Sequence, residues 1–298
     1  MSMPLAMVAT RFLDRPGLAK KTVESYERTL MPLLREYGSW PIEICDRETL
    51  TGYLDSLSHL AYTTHHRHQA IIQALFNYAV EQQYIKANPI AQLKRRKPDA
   101  QKGEHASDET IRYLMPDQVQ RLYQAIELDC RTHTIVKLLH RSGARISEVL
   151  ALDLDQIDLD QQKFQVIGKG NKQRWCFYSH DAAHLLTQYL KHYRHPRCPA
   201  LFTAYQPIAG TVSRLSYRTV HQNWRQLIAE IPGLEGARLH DLRHTFATER
   251  VGLMGIEELR ALMGHESILT TLRYQKVTSA RAETVAQSAL KTLSDKPA

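Results

Sequence analysis

The stretch LHDLRHTFAT, residues 239–248, decides how the chain is read. His240, Arg243 and His244 stand at i, i+3 and i+4, which places them on one face of a helix. Leu242, Phe246 and Ala247 cover the other face. A guanidinium beside imidazoles is a ready clamp for an anion. Further on, Leu262-Met263-Gly264-His265 ends a helix at Gly264 and exposes His265 just beyond it. Ser267 is placed to cap the next helix, which carries Thr270, Thr271, Leu272, Arg273 and Tyr274.

Working upstream, residues 140–150 read HRSGARISEVL. Gly143 breaks a helix and Ser147 or a neighbour starts another, so Arg145 sits at a turn. Its guanidinium either points into a cleft or pairs with Glu148 three residues on. Two short strands, 163–167 and 173–178, flank Gly168-Lys169-Gly170-Asn171-Lys172. Glycines on both sides of a lysine make a tight hairpin turn. Lys169 is then either solvated or carried on a mobile tip into a DNA groove. An earlier helix begins after Met115-Pro116-Asp117, with Pro116 at its first position and Leu122, Ala125 and Ile126 on its apolar side. A helical segment over 135–139 follows it.

The first hundred residues also read as helices. Val23, Tyr26, Leu30, Leu33, Leu34 and Tyr37 recur at helical spacing, with Thr22 as a cap and Gly38 as a stop. A second periodic segment starts near Thr63 and ends before Asn88-Pro89, with Ile71, Ile72, Leu75, Phe76, Ala79 and Val80 on one face. Residues 47–57 form a shorter helix between them. The string His65, His66, Arg67, His68 has no cysteine or second histidine pair at ligand spacing, so it reads as a solvated or phosphate-facing helix start. The run Lys94, Arg95, Arg96, Lys97 precedes Pro98 and a polar stretch. That pattern predicts a helical domain over 1–98, a linker over 99–112 and a second domain over 113–298.

Composition narrows the function classes. The chain has 298 residues, enough for two domains with substantial cores. Lys+Arg 39 against Asp+Glu 31 gives a net charge of +8, which suits a polyanionic partner. No apolar run is long enough to span a membrane, and the N-terminus has no basic segment ahead of an apolar stretch. Cys45, Cys130, Cys176 and Cys198 are far apart, which argues against a disulfide scaffold or zinc ribbon and for a cytoplasmic location. There is no phosphate-binding GxxxxGK[ST] loop and no carboxylate cluster that suggests Mg²⁺, so no metal or cofactor is expected.

Taken in order, SGARISEVL, GKGNKQR, LHDLRHTFAT, LMGHESILTT and Tyr274 resemble the tyrosine recombinases, the integrase and Xer family of site-specific DNA recombinases. The resemblance extends to the N-terminal helices, which look like that family's core-binding domain. It implies a mainly α fold with a small β-sheet and hairpin in the catalytic domain, arranged as a two-domain DNA clamp. It further implies that Arg145 and Arg243 hold the non-bridging oxygens of the scissile phosphate and that Lys169 protonates the leaving 5′ oxygen. His240 and His265 would complete the pocket, Tyr274 would be the nucleophile, and Glu148 would orient the site from behind Arg145. Ala144 departs from the larger apolar residue usual before that arginine, which touches packing and leaves the chemistry intact.

Arg67, Lys94, Arg95, Arg96, Lys97, Lys172 and Arg174 are the further candidates for DNA contact. The implied partners are double-stranded DNA with a palindromic-like site and other protomers, assembled as a synaptic tetramer. A short amphipathic helix over 278–292 (Val285, Ala289, Leu290) would dock on a neighbouring protomer. The length leaves no room for an extra arm-type DNA-binding domain, which favours a Xer-like resolver of chromosome dimers over an integrase of a mobile element. A type IB topoisomerase-like enzyme and a non-catalytic DNA-binding protein are the remaining alternatives.

The chemistry suits such a pocket. A phosphodiester is negatively charged and gains charge in transfer, which two guanidiniums and imidazole donors stabilise without a metal. A tyrosine with its pKa near 10 needs a proton acceptor or a positive field. The leaving alkoxide is basic and needs an acid, which suits lysine. The covalent phosphotyrosine stores the bond energy, so no ATP is consumed.

Overall fold

A computed structural model of the chain describes residues 3–104, 111–168 and 172–275, together with residues 286, 287 and 290. The chain divides into two units between residues 110 and 111. Among the described residues the fold is mostly helical, with two small antiparallel sheets.

The first unit holds α1 (Leu5–Leu13), α2 (Lys20–Tyr37), α3 (Arg47–Ser56) and α4 (Tyr62–Glu81). In α1, Leu5, Val8, Ala9 and Phe12 follow the i, i+3, i+4, i+7 pattern and are fully buried. This helix was absent from the sequence reading. Its core partners are Leu30 and Leu33 of α2, Leu50 and Leu54 of α3, and Ile72, Leu75 and Phe76 of α4. Thr22 does not cap α2; the cap position is Ala19, and the Thr22 N–H donates to the Ala19 carbonyl at 2.7 Å. The side-chain cap in this unit belongs to α3, where the Asp46 carboxylate accepts from Thr49 N–H at 2.9 Å.

Two further expectations change here. His65 turns inward, buried, with Nε2 2.9 Å from the Leu54 carbonyl at the end of α3. An apolar neighbourhood on α4 outweighs the local His–Arg run. Residues 99–104, expected in the linker, are fastened to the first unit. Arg96 donates to Glu104 at 2.6 and 2.8 Å and to the Leu60 carbonyl at 3.0 Å, while Glu104 also accepts from Tyr62 N–H at 2.8 Å.

The second unit runs through α5 (Pro116–Ala125), α6 (Cys130–Ser142) and α7 (Ile146–Ala151) into a sheet of β1 (Ile157–Asp158), β2 (Lys163–Ile167) and β3 (Gln173–Phe177). All its pairings are antiparallel, with Val166 opposite Arg174 and Phe164 opposite Cys176. Then come α8 (His180–His192), a hairpin of β4 (Thr203–Gln206) and β5 (Thr211–Arg214), α9 (Tyr217–Ala229), α10 (Leu239–Arg250), α11 (Ile256–Met263) and α12 (Ile268–Gln275). Leu138, Val149, Phe164, Leu186, Phe202 and Leu242 belong to the main core. A smaller apolar cluster of Phe246, Ala247, Leu259, Met263 and Tyr274 ties α10, α11 and α12 together. The C-terminal helix expected over 278–292 lies outside the described residues, apart from 286, 287 and 290.

Two glycines set the turns that matter. Gly143 ends α6 at φ 65°, and a Cβ there would sit 2.4 Å from the Phe246 ring. Gly264 ends α11 at φ 63°, and a Cβ there would meet Arg174 Cδ at 2.9 Å. Each turn releases the chain directly into the segment that carries a candidate residue, Arg145 after Gly143 and His265 after Gly264.

Candidate active site

Arg145 occupies the cap position of α7, and Glu148 reaches back to it. The Glu148 carboxylate accepts from Arg145 N–H at 2.7 Å and from the Arg145 guanidinium at 2.9 Å. It also receives both arms of Arg174, at 2.8 and 2.7 Å. Both outcomes expected for Arg145 therefore hold together: it pairs with Glu148 and also lines a cleft of about 610 Å³ with Lys172, Arg174, Arg260 and His265. A larger groove of about 850 Å³ lies in the first unit beside Cys45 and Tyr84 and contains none of the motif residues.

Glu148 is buried, and burial alone raises its pKa. The hydrogen bonds from Arg174 and from Arg145 outweigh this and bring it down to about 2, against 4.5 for the ordinary side chain. A depressed carboxylate contributes stability that is fully present above the unfolded value and is lost as the pH falls through the folded one. The difference corresponds to about 3 kcal/mol. Glu148→Gln is expected to lower stability by about 3 kcal/mol at neutral pH, because two arginines lose their counter-charge. It is also expected to flatten the acid dependence. Urea denaturation at pH 5 and pH 3 checks this, and equal acid slopes for the two proteins would sink it.

On α10 the shared face takes an unexpected form. Arg243 is only 2% exposed, so its guanidinium lies inside the domain. Its guanidinium donates to the Gly143 carbonyl at 2.6 Å and to the Met263 carbonyl. Burial, then the charge of Arg145, lowers its pKa to about 10, so it stays protonated at neutral pH. His240, one turn earlier, is exposed, and its pKa is lowered by partial burial and by Arg243. His265 places Nδ1 2.9 Å from Thr271 Oγ1, and burial followed by Arg243 and Arg145 brings it to about 3.

Tyr274 is 2% exposed, within the small apolar cluster. Its ring stacks on His265 with 6.2 Å between centroids and 4° between planes. Burial pushes the phenol pKa up, while Arg243, Arg273 and Arg145 pull it the other way. Its hydroxyl lies 2.9 Å from His244 Nδ1.

The structure thus brings Arg145, Glu148, His240, Arg243, His265 and Tyr274 to one region. Lys169 lies outside the described residues, between β2 and β3. Arg174, a candidate for DNA contact, grips Glu148, with Nε donating to the Leu262 carbonyl at 3.1 Å. Its alternation with buried Cys176 along β3 was the available signal. Arg96 likewise spends its guanidinium on Glu104. Lys172 and, in the first unit, Arg67, Lys94, Arg95 and Lys97 are exposed. Among the described residues no three His, Cys, Asp or Glu side chains are grouped to hold a metal ion. No described helix is long and apolar enough to cross a membrane.

Guanidiniums, imidazoles and a phenol gathered in one region are the kinds of group that phosphoryl transfer to a tyrosine requires. Residues 112–281 match the model of the phage integrase family. The tyrosine recombinase XerC of Mycobacterium bovis (strain BCG / Pasteur 1173P2) is 31% identical over 273 residues, which cover 88% of this chain and 89% of that protein. The Tn1549 transposon integrase in complex with transposon right-end DNA superimposes with a TM-score of 0.73 at 19% identity, covering 96% of this chain and all of that one. A lambda integrase tetramer bound to a Holliday junction gives a TM-score of 0.70 at 16% identity, over 92% of this chain and 77% of that one. The chain belongs to the phage integrase family. It is a site-specific tyrosine recombinase of Xer-like type, an enzyme that cuts and rejoins DNA.

Proposed function

We propose that this recombinase resolves chromosome dimers, as a tetramer of protomers synapsed on double-stranded DNA at a palindromic-like site. The observation that carries the chemistry is the meeting of Arg145, Arg243, His240 and His265 around Tyr274. Arg145 and Arg243 hold the non-bridging oxygens of the scissile phosphate. Tyr274 Oη attacks phosphorus and gives up its proton, which His240 helps to carry away; the bond to the 5′ oxygen breaks, and Lys169 gives that oxygen its proton. His240 and His265 complete the pocket, and His240 assists the proton transfer. The 5′ hydroxyl of another strand then attacks the 3′-phosphotyrosine and releases Tyr274.

The first unit serves as the core-binding domain, with Arg67, Lys94, Arg95 and Lys97 on DNA phosphates. Both units bind the same duplex, the first of them through this basic run. The 31% identity with a tyrosine recombinase XerC over 273 residues supports a Xer-like role. The lambda integrase tetramer supports the assembly.

The test is a plasmid carrying two direct repeats of the palindrome nearest the replication terminus of the host chromosome. Resolution into two circles is the expected result. Failure there, with joining of the ends of an adjacent mobile element, assigns the enzyme to integration instead.

A further inference from the structure

The reaction above leaves one group of the pocket without a task. His244 follows Arg243 on α10, and its Nδ1 lies 2.9 Å from Tyr274 Oη across thirty residues of sequence. The two rings are 5.7 Å apart and tilted by 48°. On its other side His244 meets the His240 ring edge-on at 4.6 Å. Burial, then the charges of His240, Arg238, Arg243 and Arg273, brings His244 to about 3, so it is neutral at neutral pH. Burial also favours the protonated phenol of Tyr274. With both groups neutral, the hydroxyl donates, Nδ1 accepts, and the ring proton is left on Nε2.

We infer that His244 is a positioning residue for the nucleophile, which through Nδ1 fixes the rotation of the Tyr274 hydroxyl and leaves the oxygen's free electron pair for the phosphate. A phenol hydroxyl otherwise turns about its C–O bond even while the ring stays packed against Phe246, Leu259 and Met263. Reaction rates fall steeply when an attacking atom is held loosely. The inference rests on Tyr274 being the nucleophile. It adds that α10 supplies both the arginine that meets the phosphate and the histidine that aims the attacking atom.

The experiment compares full-length His244→Leu and His244→Asn on a suicide DNA substrate. Leucine keeps the bulk and cannot accept a hydrogen bond. Asparagine offers Oδ1 near the place of Nδ1. DNA affinity is expected to stay unchanged in both. Covalent cleavage is expected to fall about 100-fold with leucine and to recover to within a few-fold of the parent with asparagine. Leucine cleaving at the parent rate, or asparagine as slow as leucine, overturns the inference. If either variant melts early, nitrogen NMR of labelled histidine decides on the parent chain. His244 Nδ1 is expected to shift between the parent and Tyr274→Phe, and an unmoved resonance overturns the inference. An adduct that persists in Tyr274→Phe would overturn the underlying assignment of the nucleophile, which is a separate result.

Discussion

Tyr274→Phe is expected to keep DNA binding and to lose the covalent protein–DNA adduct entirely. Only the hydroxyl is removed, and the ring that packs with Phe246, Leu259 and Met263 remains. The lost hydrogen bond to His244 costs about 1 kcal/mol, which leaves the domain folded. No other tyrosine appears in the motifs around the pocket. The stacked His265 and the buried Arg243 should stay in place, so the scissile phosphate is still expected to bind. A suicide substrate on a denaturing gel reads the adduct, and a gel shift reads binding. A surviving adduct would remove Tyr274 from the nucleophile's role.

Lys169→Ala has the next largest effect. Cleavage of ordinary DNA is expected to slow by about 10²–10⁴-fold, the usual worth of a general acid. The variant should fold, because the sheet is held by Phe164, Val166 and Cys176 and by the Gly168 N–H to Lys172 carbonyl bond of 2.8 Å. A substrate with a 5′-bridging sulfur has a better leaving group and needs no acid, so the variant should recover on it. Arg145→Ala should recover much less, since its loss removes charge stabilisation and not a proton. Equal defects of Lys169→Ala on both substrates would make the lysine a binding contact.

The sequence shows best what is local. Gly143 and Gly264 were readable as helix stops because a left-handed terminus selects glycine. Pro116 marked the start of α5, and the hairpin strands are within one residue of expectation. Helices α8 and α9 and the β4–β5 hairpin went unread, since no motif drew attention to their weaker periodicity. Partnerships across the chain were the other blind spot. Arg174 and Glu148 are 26 residues apart, and His244 and Tyr274 are 30 apart. Spacing alone placed Arg243 on one face with His240 and His244, and it gave no sign that the carbonyls of two helix ends hold the guanidinium inside.

That buried arginine has a consequence for how such an enzyme can evolve. A guanidinium offers five N–H donors. Two of the Arg243 donors hold the carbonyls of Gly143 and Met263, so the same side chain is a tie-rod between the ends of α6 and α11. The remaining donors are what it can offer a phosphate. Lysine, a point charge on a flexible stem, cannot serve both duties. Exposed lysines and arginines elsewhere carry no such tie and can change without loosening the scaffold. Position 243 admits no such drift, because a substitution there would unfasten the ends of α6 and α11 in one step.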